Sequence, residues 1–256
     1  MTTAPLVEDN DCFENGMAGI GSRDEAAATI RKNRCFRNEM AGIGSRANAR
    51  PLILENECRE NKLAGIGFAE CERGAAVVRG NRVIDNGMVA IGVHPGWKIE
   101  ISGNELRREG GLPPMVMVFE GAEASIRGNT ITGNGVAGVR VAGTVQVTGN
   151  TFDGQKVRRG GPPHFGVWAL PGSNVIVSDN QFKSWRHALH ASEAAVSAFA
   201  NRAEDISGAA FVVSNPARPA RVFDNRVISA DPGAKAVQVD GDQDAVRNNV
   251  VEPARK

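Results

Sequence analysis

The chain has 256 residues, 41% of them hydrophobic, and its 30 Lys and Arg against 29 Asp and Glu leave a net charge of +1. That length and apolar content supply a sizeable core, while the charge balance excludes a general attraction to nucleic acid or an anionic membrane, so neither is expected as a partner. Aromatic residues are scarce at 5%, Tyr is absent and Gly is numerous at 30, which excludes a core of bulky rings and favours small, repetitive packing.

In chain order, residues 1–9 hold no basic segment followed by an apolar run, and no stretch of 18 apolar residues follows. Neither a signal peptide nor a transmembrane segment is therefore expected, and the compartment is left open. The first repeat unit is Asn10-Asp-Cys-Phe-Glu-Asn15-Gly-Met-Ala-Gly-Ile-Gly21, and it recurs from Asn33 to Gly44 and from Asn56 to Gly67, each 23 residues after the last. Weaker copies begin at Asn81, Asn104, Asn129, Asn150, Asn180, Asn201, Asn225 and Asn249, giving eleven units.

Each unit carries an aliphatic residue three before its Asn (Val7, Ile30, Ile53, Val78 and onward, broken by Ala198). Another apolar residue or Cys lies two after it (Cys12, Cys35, Cys58, Val83, Leu106, Ile131, Phe152, Phe182), and Ile20, Ile43, Ile66, Ile91 or Val139 lies ten after it. Short runs of period two between turn residues predict three brief strands per unit. No such unit buries its apolar side alone, so the units must stack at about 4.8 Å and bring like residues into columns. Asn suits the turn because it tolerates left-handed backbone and because buried amides can bond along the stack. A helical solenoid is disfavoured by the lack of helical-period runs and by the wealth of Gly and β-branched residues.

The pattern Asn-x-[Ile/Val/Cys]-x-x-Asn followed by Gly-Ile or Gly-Val resembles the repeat of the right-handed parallel β-helix proteins of the pectin-lyase-like superfamily, over nearly the whole chain. The expected fold is all-β, a single right-handed parallel β-helix domain over residues 1–256 with about eleven coils. That superfamily holds polysaccharide lyases, glycoside hydrolases, sugar epimerases, phage tailspikes and carbohydrate-binding modules without chemistry. The resemblance thus implies a polysaccharide ligand and no particular reaction. Its catalytic signatures are missing: there is no paired Asp with Gly-His-Gly, Arg218-Pro-Ala-Arg221 departs from the lyase Arg-x-Pro-x-x-Arg, and Asp231-Pro-Gly departs from the epimerase Asp-Pro-His-Asp.

Strand alternation points Ile20 and Ser22 inward and Gly21 and Arg23 outward. The outward column then runs Gly21, Gly44, Gly67, Gly92, Met117, Arg140, Trp168, His190, Val212 and Gln238. Its neighbour runs Arg23, Arg46, Ala69, His94, Phe119, Ala142, Leu170, Ser192, Ser214 and Asp240. The middle coils therefore gather Met117, Phe119 and Trp168 as a substrate-binding bed, with Arg140, His190 and His94 as the candidate catalytic groups. Rings stack on sugars and Arg pairs with carboxylates in bidentate fashion. Plain packing under neighbouring loops is the equal alternative for the aromatics.

The longest interval, Asn150 to Asn180, expels a loop with Lys156, Arg158, Arg159 and His164, expected as a binding wall. A second loop on the same side runs from Arg107 to Pro114 and carries Glu109. His187 and His190 lie three apart, which argues against both facing one way in a strand and so against a metal pair. Cys12, Cys35 and Cys58 read as small buried hydrophobes, and no cofactor or metal is expected. With the first coil beginning by Val7 and the last reaching Val251, no capping helix is expected, and the open ends imply a piece of a larger protein or self-association through the uncapped ends. Three functions stay open: an acidic-polysaccharide-binding module, a polysaccharide lyase or uronate epimerase, and a protein-binding scaffold.

Overall fold

The computed structural model describes residues 3–156, 160–231 and 233–254. Among these residues there is no helix. The chain winds through three parallel sheets, of eleven strands before the repeat asparagines, eleven after them, and ten around the Ile20 positions. Consecutive strands of one sheet come from consecutive coils, so the fold is a β-solenoid of about eleven turns, roughly 50 Å long at about 4.8 Å per coil.

The register follows the repeat residue by residue. Ile30 pairs with Val7 and Ile53, Cys35 with Cys12 and Cys58, and Gly44 with Gly21 and Gly67. Even the interrupted column holds, with Ala198 between Val177 and Val222. Ile30, Ile53, Ile101 and Ile126 are fully buried in one such ladder. The thiols of the Cys column are free, and Cys35 and Cys58 are buried. A hydrogen bond to Cys35 and burial together push Cys58 well above the usual thiol range, so it stays protonated.

A ladder of side-chain amides ties the coils together. Asn33 Oδ1 accepts from the backbone N–H of Asn10 at 3.0 Å and from its Nδ2 at 2.9 Å. Asn33 Nδ2 in turn donates to Val7 O at 2.9 Å and to Asn56 Oδ1 at 3.0 Å. The same set repeats through all eleven asparagines to Asn249.

The asparagines themselves do not take the left-handed backbone expected of them. That conformation belongs to the residue just before each one: Asp9, Lys32, Glu55, Gly80, Gly103, Gly128, Gly149, Asp179, Ala200, Asp224 and Asn248 all have φ between 54° and 67°. The reversal there points the following amide inward along the stack, which is why four of these positions are Gly and several others are Asp or Asn.

A second ladder, Asn15, Asn38, Asn61 and Asn86, runs only through the first four coils. Arg108 ends it. Its buried guanidinium donates to Asn86 O at 2.6 Å, Met88 O at 2.5 Å and Pro113 O at 2.9 Å. Burial lowers its pKa, with the charge of Asp85 opposing. At the two ends, Leu6, Phe13 and Met17 on one side and Val250 and Val251 on the other remain exposed.

Replacing Asn129 by Ala leaves the N–H and Nδ2 of Asn104 and the carbonyl of Ile101 without their partner. The expected loss is about 2–4 kcal/mol in urea unfolding. Asn10→Ala, at the exposed edge where no earlier coil donates to it, should cost below about 1 kcal/mol; equal losses would mean that the ladder is not a source of stability.

Candidate functional site

The outer face of the third sheet is built from columns fixed by the pairing. Gly92, Met117, Arg140, Trp168, His190, Val212 and Gln238 follow one another in register. In the first coils this face is bare. Nothing lies within 4 Å of where a Cβ on Gly21 would sit, and one on Gly44 or Gly67 would make only ordinary contact, whereas one on Gly92 would press on Val89 at 3.2 Å.

In the middle coils the side chains interlock. Arg140 lies between its neighbours, with Nη1 3.6 Å from Met117 Sδ and its Cζ 5.1 Å from the Trp168 ring centroid. Such an Arg–indole contact is a cation–π interaction. Met117 is only 7% exposed beneath this cover, whereas Arg140, Trp168 and His190 are half-buried. His94 and Phe119 stack at 4.2 Å on the adjacent column, His94 exposed at the rim. Arg140 has no carboxylate partner among the described residues, and its Nε is buried without a hydrogen bond.

His187 joins this face, against the expectation from spacing. Ala188 and Leu189 are both fully buried, so two consecutive residues point inward and the residues on either side both point out. The same corner occurs in other coils: Gly138 and Gly166 face inward, where a Cβ would collide with the rings of Phe152 and Phe182. Phe152 and Phe182 are themselves stacked at 4.7 Å in the core. Large rings in one inward column thus require glycine in the facing column, and the corner swings Phe165 and His187 outward. The Ala-Gly-Ile-Gly of the first three units already contained this signal, since Ala18 and Gly21 are three apart and both outward.

The result is a ring cluster. Phe165 stacks on His190 at 4.5 Å, lies 5.2 Å from His187, and meets Trp168 edge-on at 5.7 Å. The two imidazoles are 5.5 Å apart and nearly parallel. His187 Nδ1 is 2.6 Å from Ala209 O, a contact that makes Nδ1 the protonated nitrogen and leaves Nε2 as the acceptor. A side chain at Gly208 would strike the His187 ring. Burial lowers the pKa of His187, with the bond to Ala209 opposing and the charge of Arg186 reinforcing the change. His190 is lowered by burial, then by His187 and Arg186, and its Nδ1 has no partner.

His164, expected on the loop wall, is fully buried instead. Its ring nitrogens lie 3.0 Å from Gly135 O and 3.1 Å from Ser184 O, and it packs 4.6 Å from the buried Trp185. It anchors the loop and meets no ligand-accessible surface. Arg158 and Arg159 lie outside the described residues. The rest of that loop is held by Arg186, whose Nη2 donates to Gly160 O at 2.6 Å and Pro162 O at 3.0 Å. The Arg107–Pro114 loop leaves from the same turn, between second and third sheets, and Glu109 there is ion-paired with Arg107. In coils five to nine the named columns of the face carry no Asp or Glu, so the pair of carboxylates that glycoside hydrolysis needs is missing from it.

The sequence model of the family described as "Right handed beta helix region" matches residues 2–112 and 113–251. No curated protein sequence matches the chain. Among solved structures, a tailspike protein mutant of E. coli bacteriophage HK620 in complex with a pentasaccharide is similar at 13% identity and a TM-score of 0.42, covering 93% of this chain. The chain spans 58% of the length of that protein.

The depressed histidines give a pH dependence of fixed sign. Unfolded, both titrate near about 6.5, and the fold holds them lower, so the unfolded state binds more protons as pH falls. Their stabilising contribution is complete above about pH 6.5 and is lost as pH drops through the folded values. The urea midpoint should therefore fall between pH 7.5 and 5.5, and His190→Phe should fall clearly less; an identical slope in the variant would refute the assignment.

Proposed function

The chain belongs to the right-handed β-helix family, and from that premise we propose that the middle of its third-sheet face binds carbohydrate, specifically an acidic polysaccharide. The observation that carries this reading is Arg140: a guanidinium fixed between a thioether and an indole, on a surface column, with no carboxylate of the described chain to neutralise it. A planar donor fork held that way is suited to a uronate carboxylate, which it can engage with two parallel hydrogen bonds. Trp168, Phe119 and Met117 supply the apolar bed on which sugar C–H groups rest, and His94 closes the rim beside Phe119. The solvent-facing columns run along the solenoid axis, so an extended polymer has a straight track.

A second reading, lyase or uronate epimerase, is favoured by one observation: neutral imidazoles at His187 and His190 stand about 10 Å along the axis from Arg140, two coil spacings of about 4.8 Å. There Arg140 would neutralise the uronate while a histidine removes the proton beside the carboxylate.

Isothermal titration against oligogalacturonate, alginate and a neutral glucan, with absorbance of unsaturated uronates followed in parallel, separates the readings. Binding to uronates alone is expected, weakened at least about 10-fold by Arg140→Ala and less by Arg140→Lys, consistent with a lost charge-assisted pair of about 1.5–3 kcal/mol. Product formation abolished by His190→Gln with binding retained would establish the enzyme. Absence of binding to every glycan would leave the protein-binding scaffold.

A further inference from the structure

The charged groups around the histidine pair are all of one sign. Just before its strand stands Arg186, and among the described residues no acid acts on either histidine. From the coil before, Phe165 and Trp168 face the pair, and beyond Trp168 lies Arg140. From the coil after come Gly208, Ala209 and Val212, and one coil further the same columns hold Lys235 and Gln238. The two half-buried imidazoles thus sit 5.5 Å apart beside Arg186, with no carboxylate of the described residues against them. Protonating either one alone places a new positive charge beside Arg186 and beside its own partner.

We propose that this cluster is a proton-coupled anion latch: His187 and His190 are neutral in the empty site and take up protons when an anionic glycan is bound, so that capture is favoured by mild acid and release by neutral pH. This rests on the polysaccharide reading above and adds its regulation. An arriving carboxylate row supplies negative charge to this face and so offsets the repulsion that protonation would meet from Arg186 and between the rings. By linkage, whatever raises the histidine pKa on binding must tighten binding as pH falls, and a pKa higher by about one in the complex tightens it about tenfold. Uronate carboxylates remain ionised throughout this range, so the proton dependence belongs to the protein.

The test is calorimetric titration of the full chain with oligogalacturonate at pH 7.5, 6.5 and 5.5, each in two buffers of different ionisation enthalpy to count protons. The latch predicts net proton uptake on binding near pH 6.5 and affinity at least about tenfold higher at pH 5.5 than at 7.5. His187→Asn and His190→Asn should each reduce the uptake, and the pair together should flatten the pH profile while Arg140 still supports binding at pH 7.5. Binding with no proton uptake, or uptake unchanged in both variants, overturns the latch and leaves the glycan reading standing. No binding at any pH removes the glycan reading itself.

Discussion

Everything in this molecule depends on one constraint: each coil must present to the next, about 4.8 Å away, the same hydrogen-bonding edge that it received from the one before. The asparagine ladder enforces that constraint at the turn, where backbone pairing is interrupted. Each Asn closes both on its neighbour's amide and on a carbonyl of the preceding coil. A buried amide left unsatisfied costs far more than a satisfied one contributes. The left-handed residue before each Asn carries the conformational strain that aims it, so two adjacent positions share the work, one strained and one bonded.

Because register is inherited from coil to coil, a change of side chain in one column must be answered in another column of the adjoining coil. The core column that begins with Cys12, Cys35 and Cys58 grows to Phe152 and Phe182 in the middle of the stack, and the facing position, glycine at 19, 42 and 65, is glycine again at 138 and 166 in the coil before each ring, where a Cβ would collide with it. The outward residues at that corner are free of the exchange, and there the chain places Phe165 and His187. Site and core are therefore coupled through a glycine that touches neither solvent nor ligand. The exposed ion pairs along the columns, such as Glu8–Arg31 at 2.7 Å and Asp11–Arg34, add little by comparison, since solvent screens them.

The same inheritance decides what is legible in the sequence. Column membership is readable from spacing where the interval is regular, since Gly21, Gly44, Gly67, Gly92, Arg140 and Val212 each lie eleven after their Asn, while Met117, Trp168, His190 and Gln238 are placed by aligning the apolar pattern around them; Ala198 stands out as a gap in its own column. Direction at the corner is not readable by strict alternation, because Ala188 and Leu189 break it, and so alternation sets His187 on the wrong side. His164 and Arg108 escape for another reason. Both are polar residues in expelled loops, where a surface position is the ordinary expectation. Each turns back to bond backbone carbonyls, Arg108 closing a ladder that has run out of asparagine and His164 bridging Gly135 and Ser184. Such roles depend on which carbonyls the stack leaves unpaired, a property of the assembled coils that no local motif records.

The electrostatic character of the face follows from the same logic of columns. On the other faces acid and base often alternate from coil to coil, as in Glu8 with Arg31, Glu39 with Lys62 and Glu100 with Arg127, so that these outward charges are answered by a neighbour. In the columns through Arg140 and His190 that alternation stops: Met117, Trp168 and Val212 stand where an acid would complete the pattern. The cation is held by sulfur and indole, and the histidines by ring stacking and a carbonyl. Half-burial makes charge here more costly to leave unanswered than on the solvated flanks. It is this stretch of cationic and aromatic side chains, without an acid in register among the described residues, that the proposed acidic ligand would complete.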